Sequence, residues 1–224
     1  MRGVLINFAL AWIFMLSGAG YCLGGPKLGI WGANTIRVFS SLEDSNPTVT
    51  SPGDKLKLTV TDFRPFIQKS SEWTKRYLVP DIEIAPPLTE IGWSNDSKSF
   101  FFNLSDGGAV GTWSVRVFQI ASDGVKEIPI DGSIANDFSI RFDCTAAQES
   151  ANFAGIKWTR NDTALLIVGE VPPHSGCKYM GMVVGYEYSF HEKRILKNYP
   201  EPELIRHFGR DLGQRLRDRF KLNK

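Results

Sequence analysis

The sequence predicts a mainly β protein made of antiparallel, blade-like meanders and followed by an amphipathic C-terminal helix. Three observations lead to this fold class. Two stretches of the chain repeat one another without a gap, short alternating segments are separated by turns rich in Gly and Asp, and the last 24 residues change to an apolar period of four. An internal repeat of this kind sets the architecture of a chain more strongly than any single element does.

The N-terminus has the pattern of a signal peptide over residues 1–22. Arg2 supplies a positive start, and an apolar run and a group of small residues follow it. This pattern predicts a secreted or periplasmic protein. The apolar run is shorter than the roughly 20 residues that span a bilayer, so an uncleaved membrane anchor is the less favoured alternative. Acylation at Cys22 is a further alternative, which the bulky Tyr21 before it disfavours.

The two repeated stretches are Ile91–Phe102 and Ile156–Ile167, in which Trp158 lies 65 residues after Trp93. Each stretch is followed by a turn and further alternating segments, so each unit is predicted to be an antiparallel meander of three or four strands. Successive side chains of a strand face opposite sides, so the run Phe100-Phe101-Phe102 favours a sheet that is covered on both faces.

The segment Trp93-Ser94-Asn95-Asp96-Ser97-Lys98 resembles the Trp-Ser-Pro-Asp-Gly-Lys repeat of β-propellers. That repeat occurs in the translocation protein of the Tol system and in the propeller domains of prolyl oligopeptidases. Residues 158–163 match it more loosely, and Ser51–Leu58 is a weak third copy. The resemblance covers roughly residues 89–199 with fair specificity and residues 46–63 with poor specificity, and it implies blade-like sheets. Residues 23–199 are therefore predicted to form one β-rich domain, a partial propeller-like stack. It implies no activity, because the repeat is scaffold in those families.

The number of repeats leaves the architecture open. A closed propeller typically has about 4–8 blades, and this chain has room for fewer. An open stack of blades, a ring completed by several chains and a plain β-sandwich are therefore the alternatives.

Removal of the N-terminal segment leaves Cys144 and Cys177. An even pair of cysteines in an exported protein predicts a disulfide. In the chain-entropy model such a bond stabilises the fold by about 3–4 kcal/mol. Two buried free thiols are the alternative.

The C-terminal segment, residues 200–224, is predicted to be one amphipathic helix. Its apolar side consists of Leu204, Phe208, Leu212, Leu216 and Phe220. Its basic side includes Arg206, Arg210, Arg215, Arg217 and Arg219. One interpretation is a helix that packs on the sheet by its apolar side. The other is a surface for anionic lipid or an acidic partner, which would allow membrane contact.

Signals for catalysis are weak along the whole sequence. His174, His191 and His207 are scattered and lack the spacing of metal ligands. Three aspartates lie in a loop-rich region but match no calcium-binding loop, namely Asp131, Asp137 and Asp143. We therefore predict no catalytic residue, metal site or cofactor.

The charge balance bears on the partner. The chain carries a formal net charge of +2, and residues 1–22 contain Arg2 as their one charged residue. A nearly neutral chain argues against nucleic acid as the main partner. The leading hypothesis is an exported, non-enzymatic protein that binds a protein or an envelope component, with oligomerisation left open. The alternative is a small exported hydrolase or hydrolase accessory domain, suggested by where such propellers occur.

Overall fold

The computed structural model describes residues 28–39, 47–72, 74–84, 89–107, 112–147 and 150–221. The predicted signal peptide at residues 1–22 lies outside this described part. The fold is mainly β with antiparallel sheets, as the sequence predicts.

The first sheet is a four-stranded antiparallel meander that follows the short strand β1 (Ile36–Arg37). Its strands are β2 (Thr48–Thr50), β3 (Leu56–Thr61), β4 (Arg64–Lys69) and β5 (Arg76–Leu78). Leu56, Leu58 and Val60 are buried while their neighbours along β3 are not, because side chains alternate between the two faces of a strand. The turn between β2 and β3 contains Gly53 at a φ of 68°.

The second sheet contains four consecutive strands and has β1 paired at its edge with the first of them. The four strands are β6 (Thr89–Trp93), β7 (Ser99–Ser105), β8 (Trp113–Ile120) and β9 (Val125–Ile128). Two helices follow, α1 (Ser133–Arg141) and α2 (Cys144–Ala147).

The third sheet is again a four-stranded antiparallel meander. Its strands are β10 (Asn152–Thr159), β11 (Ala164–Glu170), β12 (Val183–Ser189) and β13 (Arg194–Pro200). The described chain then ends in helices α3 (Glu201–Phe208) and α4 (Gln214–Arg219).

The two hairpins that contain the repeated stretches have the same register. Trp93 pairs with Phe100 between β6 and β7, and Trp158 pairs with Leu165 between β10 and β11. The pairing of β10 with β11 shifts register between Gly155 and Lys157, directly before Trp158. Both tryptophans therefore occupy the same position, at or next to the end of the first strand of a hairpin.

The second sheet is the middle layer of the molecule. Phe100 and Phe102 belong to the apolar cluster that includes Leu58 of the first sheet. Phe101 points the other way, into the cluster that includes Leu165 of the third sheet. All three phenylalanines are almost completely buried, which confirms the prediction of a sheet covered on both faces. No closed barrel or propeller is formed by the residues that the structure describes.

The turns of the hairpins contact one another. Asp162, in the turn between β10 and β11, accepts hydrogen bonds from the side chain of Asn95 (3.0 Å) and from the backbone of Asp96 (3.2 Å). The hydroxyl of Ser97 donates to the carbonyl of Pro52, in the turn between β2 and β3 of the first sheet (3.1 Å). Short polar turn residues thus join the ends of the three sheets.

The prediction of one continuous helix over residues 200–224 is wrong. The structure has two short helices, α3 and α4, separated by residues 209–213. The physical reason is backbone pairing with the N-terminal part of the chain. Gly213 donates its N–H to the carbonyl of Trp31 (2.6 Å), and Leu212 forms a β-bridge with Gly32.

The apolar positions of this segment are nevertheless used. Leu204, Leu212 and Leu216 are fully buried and pack on the outer face of the third sheet. Phe208 and Phe220 are partly buried against the same cluster. Both helices therefore form a further layer of the stack.

Candidate anion-binding site

Three of the five predicted arginines surround one open cavity of about 650 Å³, which we call the basic cavity. Its lining residues are Ile205, Arg206, His207, Gly209, Arg210, Asp211 and Arg217. Arg206 comes from α3, Arg210 from the connection between the helices and Arg217 from α4. The break between the two helices is what brings these side chains together.

The other two arginines are half-buried, and each lies beside a carboxylate of the protein. Arg215 forms an ion pair with the buried Glu170 (2.6 Å) and lies over the ring of Trp31, with its guanidinium carbon 4.7 Å from the ring centre. Arg219 lies 3.8 Å from Glu201 at the start of α3. The basic surface is therefore smaller than the sequence predicts.

Backbone contacts hold the helix connection in place. Ala33 donates to the carbonyl of Asp211 (2.8 Å), and Arg215 donates to the carbonyl of Ile30 (2.9 Å). A side chain at Gly213 would place its Cβ 2.3 Å from the oxygen of Ile30, so only glycine allows this approach. Arg210 is thus carried on a fixed stretch of backbone.

The charges in the basic cavity are unbalanced towards the positive. Asp211 forms an ion pair with Lys157 (2.9 Å), which offsets its charge. Among the described residues, no carboxylate forms an ion pair with Arg206 or Arg210. The Nη2 atom of Arg206 lies 3.5 Å from Nε2 of His207, whose ring packs edge-on against Tyr199. An anion is the ligand that such a site attracts.

The remaining candidate residues are dispersed. His174 and His191 are exposed on separate loops. Asp137 accepts a hydrogen bond from Tyr186 (2.9 Å), and the neighbouring Arg141 lowers the pKa of its carboxyl. Asp143 lies 3.6 Å from Lys178. Within the described ranges, no group of three or more His, Cys, Asp or Glu side chains could hold a metal ion.

Cys144 and Cys177 form the predicted disulfide, with their Cα atoms 5.7 Å apart. The bond joins α2 to the loop between β11 and β12. Cys177 is therefore a structural residue in this state, and it offers no thiolate to nearby groups.

Two buried carboxylates with structural roles, Glu90 and Glu170, are not among the residues predicted from the sequence. Glu170 forms an ion pair with Arg215 and accepts a hydrogen bond from the side-chain amide of Asn152 (2.9 Å), so it anchors α4 to the third sheet. Glu90 lies on β6 against residues 30–35, and its Oε2 atom is 2.9 Å from Thr35 Oγ1 and 3.3 Å from Asn103 Nδ2. Burial raises the pKa of Glu90 above its ordinary value. A signal was present in the sequence, since both residues lie within apolar strands.

No protein-family model matches this chain, and no curated protein matches it. In the part of the chain that the structure describes, no helix is both long enough and apolar enough to cross a membrane.

Proposed function

We propose that this chain is an exported, non-enzymatic binding protein that contacts an anionic component of the cell envelope through the basic cavity. The observation that carries the proposal is the grouping of Arg206, Arg210 and Arg217 around one open cavity. The stacked sheets serve as its scaffold, in keeping with the propeller-type turn sequence.

The export part of the proposal has two supports. The N-terminal sequence has the pattern of a signal peptide. The Cys144–Cys177 disulfide is compatible with an oxidising compartment, such as the extracellular space or the periplasm.

The binding part of the proposal rests on exposed charge. Arg206 and Arg210 are exposed, so they attract an anionic surface over a distance of about one Debye length, roughly 8 Å at physiological salt. Binding of this kind weakens as salt is added, because dissolved ions screen the charges. Salt dependence is therefore part of the expected behaviour.

The proposal is tested by sedimentation with vesicles of phosphatidylcholine that contain phosphatidylglycerol. The mature chain is expected to pellet with these vesicles at low salt and to be released at high salt. The variant Arg206→Glu/Arg210→Glu is expected to stay in the supernatant, since two cations of the cavity become anions.

The matched control is Arg64→Glu/Lys126→Glu, which makes the same charge change at exposed positions of the first two sheets. This control is expected to pellet like the unaltered chain. Equal loss in both variants would show that net charge, and not the cavity, governs binding. Deletion of residues 201–224 is unsuitable, because it would also remove Leu204, Leu212 and Leu216 from the core.

A further inference from the structure

We infer that the basic cavity is a binding site for a phosphomonoester group, carried on a lipid or on a small soluble molecule. This inference rests on the proposed function and adds to it the chemistry of the ligand.

The first argument is the exclusive use of arginine for the cations that line the cavity, at positions 206, 210 and 217. A guanidinium group presents several N–H donors in a planar fork, which matches two oxygens of a phosphate at once. A phosphomonoester has three terminal oxygens and about two negative charges, so it can be shared by several forks. A phosphodiester has only two such oxygens and one charge.

The second argument is that the three arginines are held by different elements around one space. Arg206 projects from α3, and Arg217 projects from α4, which the Arg215–Glu170 ion pair fixes to the third sheet. Arg210 lies in the connection between the helices, whose backbone is hydrogen-bonded to residues 30–33. A site whose parts are already in position loses less entropy when its ligand binds. A volume of about 650 Å³ is within the range of small-molecule sites.

The third argument concerns the carboxylates nearby. Asp211 is the acidic residue in the lining, and Lys157 offsets its charge from the neighbouring third sheet. Glu203 on α3 lies 3.9 Å from Lys197. Asp218 is exposed beside Arg217 in an adjoining pocket. The cavity therefore keeps a positive balance in which a dianion is favoured over a monoanion.

The test compares two kinds of vesicle that are matched in surface potential. One contains phosphatidic acid, which carries a phosphomonoester, and the other contains phosphatidylglycerol, which carries a phosphodiester. The mature chain is expected to bind the phosphatidic acid vesicles about tenfold more tightly. Glycerol 3-phosphate is then added as a soluble competitor. Competition indicates that the phosphomonoester alone is sufficient, and its absence indicates that the lipid is required.

The decisive variant is Arg206→Lys/Arg210→Lys, which keeps the charge but removes two planar forks. It is expected to bind both kinds of vesicle with equal affinity. Equal binding of both kinds by the unaltered chain would overturn the phosphomonoester assignment and leave the proposed function standing. A preference that persists in the lysine variant would also overturn it. Binding to neither kind of vesicle would remove the proposed function itself.

Discussion

Glu90 joins three parts of the molecule that are far apart in the sequence. The backbone N–H of Ile30 donates to its carboxyl group, which connects the chain around residue 30 to β6. Asn103 donates to Glu90 and also to the carbonyl of Gly155 (2.9 Å), while Gly155 donates back to Asn103 (2.7 Å). These hydrogen bonds therefore form a network that extends from Ile30 through the second sheet to β10.

Burial and hydrogen bonding act on the pKa of Glu90 in opposite directions, because the hydrogen bonds that its carboxyl group accepts favour the charged form. Thr35 Oγ1 lies 2.9 Å from both the carbonyl of Gly32 and Glu90 Oε2. A hydroxyl has one proton, so Thr35 donates to only one of these two oxygens at a time. Burial of the carboxyl is the larger effect, because desolvation penalises the charged form and raises the pKa.

Glu90 is expected to make the stability of the protein depend on pH. A raised pKa in the folded state means that the contribution of neutral Glu90 is fully present below its ordinary pKa of 4.5 and is lost as the pH rises through the folded value. Glu90→Gln keeps a neutral group at every pH. The free energy of unfolding of the unaltered chain is therefore expected to fall relative to that of the variant as the pH rises above 4.5. Urea titrations at several pH values measure it.

The exposed Glu83→Gln is the control for this prediction, because it makes the same chemical change on the surface. Its stability difference from the unaltered chain is expected to stay constant over the same pH range. A constant difference for Glu90→Gln as well would show that the pKa of Glu90 is not raised in the folded protein.

The elements show which features a sequence reveals and which it does not. The alternation in β3 and the Phe100–Phe102 run follow from local periodicity, so both were predictable. The C-terminal segment was predicted as one helix, because its apolar period continues through residues 209–213. What breaks the helix is pairing with Trp31 and Gly32, a long-range contact that no local pattern records.

The candidate site was predictable only in part, for the same reason. Sequence position could not show that Arg215 pairs with Glu170 while Arg210 faces the cavity. Both residues lie in a basic segment with a similar local sequence. The difference arises from tertiary contacts, since Arg215 is adjacent to the buried strand end that carries Glu170.

Gly213, in the connection between α3 and α4, is expected to be required for the packing of this connection. A methyl group at this position would overlap the carbonyl of Ile30, so Gly213→Ala is expected to destabilise the fold by about 1–3 kcal/mol. It is also expected to weaken vesicle binding, because Arg210 and Arg217 lie on either side of the displaced backbone. Thermal unfolding and vesicle sedimentation measure the two effects. The control is Gly176→Ala, an exposed position with no atom within 4 Å of the added group. Equal stability of both variants would contradict the described packing.

The second sheet contributes side chains to two apolar clusters, one on each of its faces, and so connects the first and third sheets. The cluster between the first and second sheets contains Phe100, and the cluster between the second and third sheets contains Phe101, the next residue along the chain. Loss of either outer sheet would expose one face of the middle sheet to water. At about 25 cal/mol per Å² of apolar surface, such an exposure is costly. The described layers are therefore expected to unfold together.

Cooperative unfolding is tested with one substitution in each apolar cluster. Leu58→Ala and Leu165→Ala each remove a fully buried side chain and are expected to cost about 2–5 kcal/mol. Because the layers share the second sheet, each variant is expected to lower the midpoint of one common transition, measured by tryptophan fluorescence and by far-ultraviolet circular dichroism. Lys126→Ala, on the exposed edge strand β9, is expected to leave the midpoint unchanged. Two separate transitions, with each variant shifting only one of them, would mean that the outer sheets are independent units.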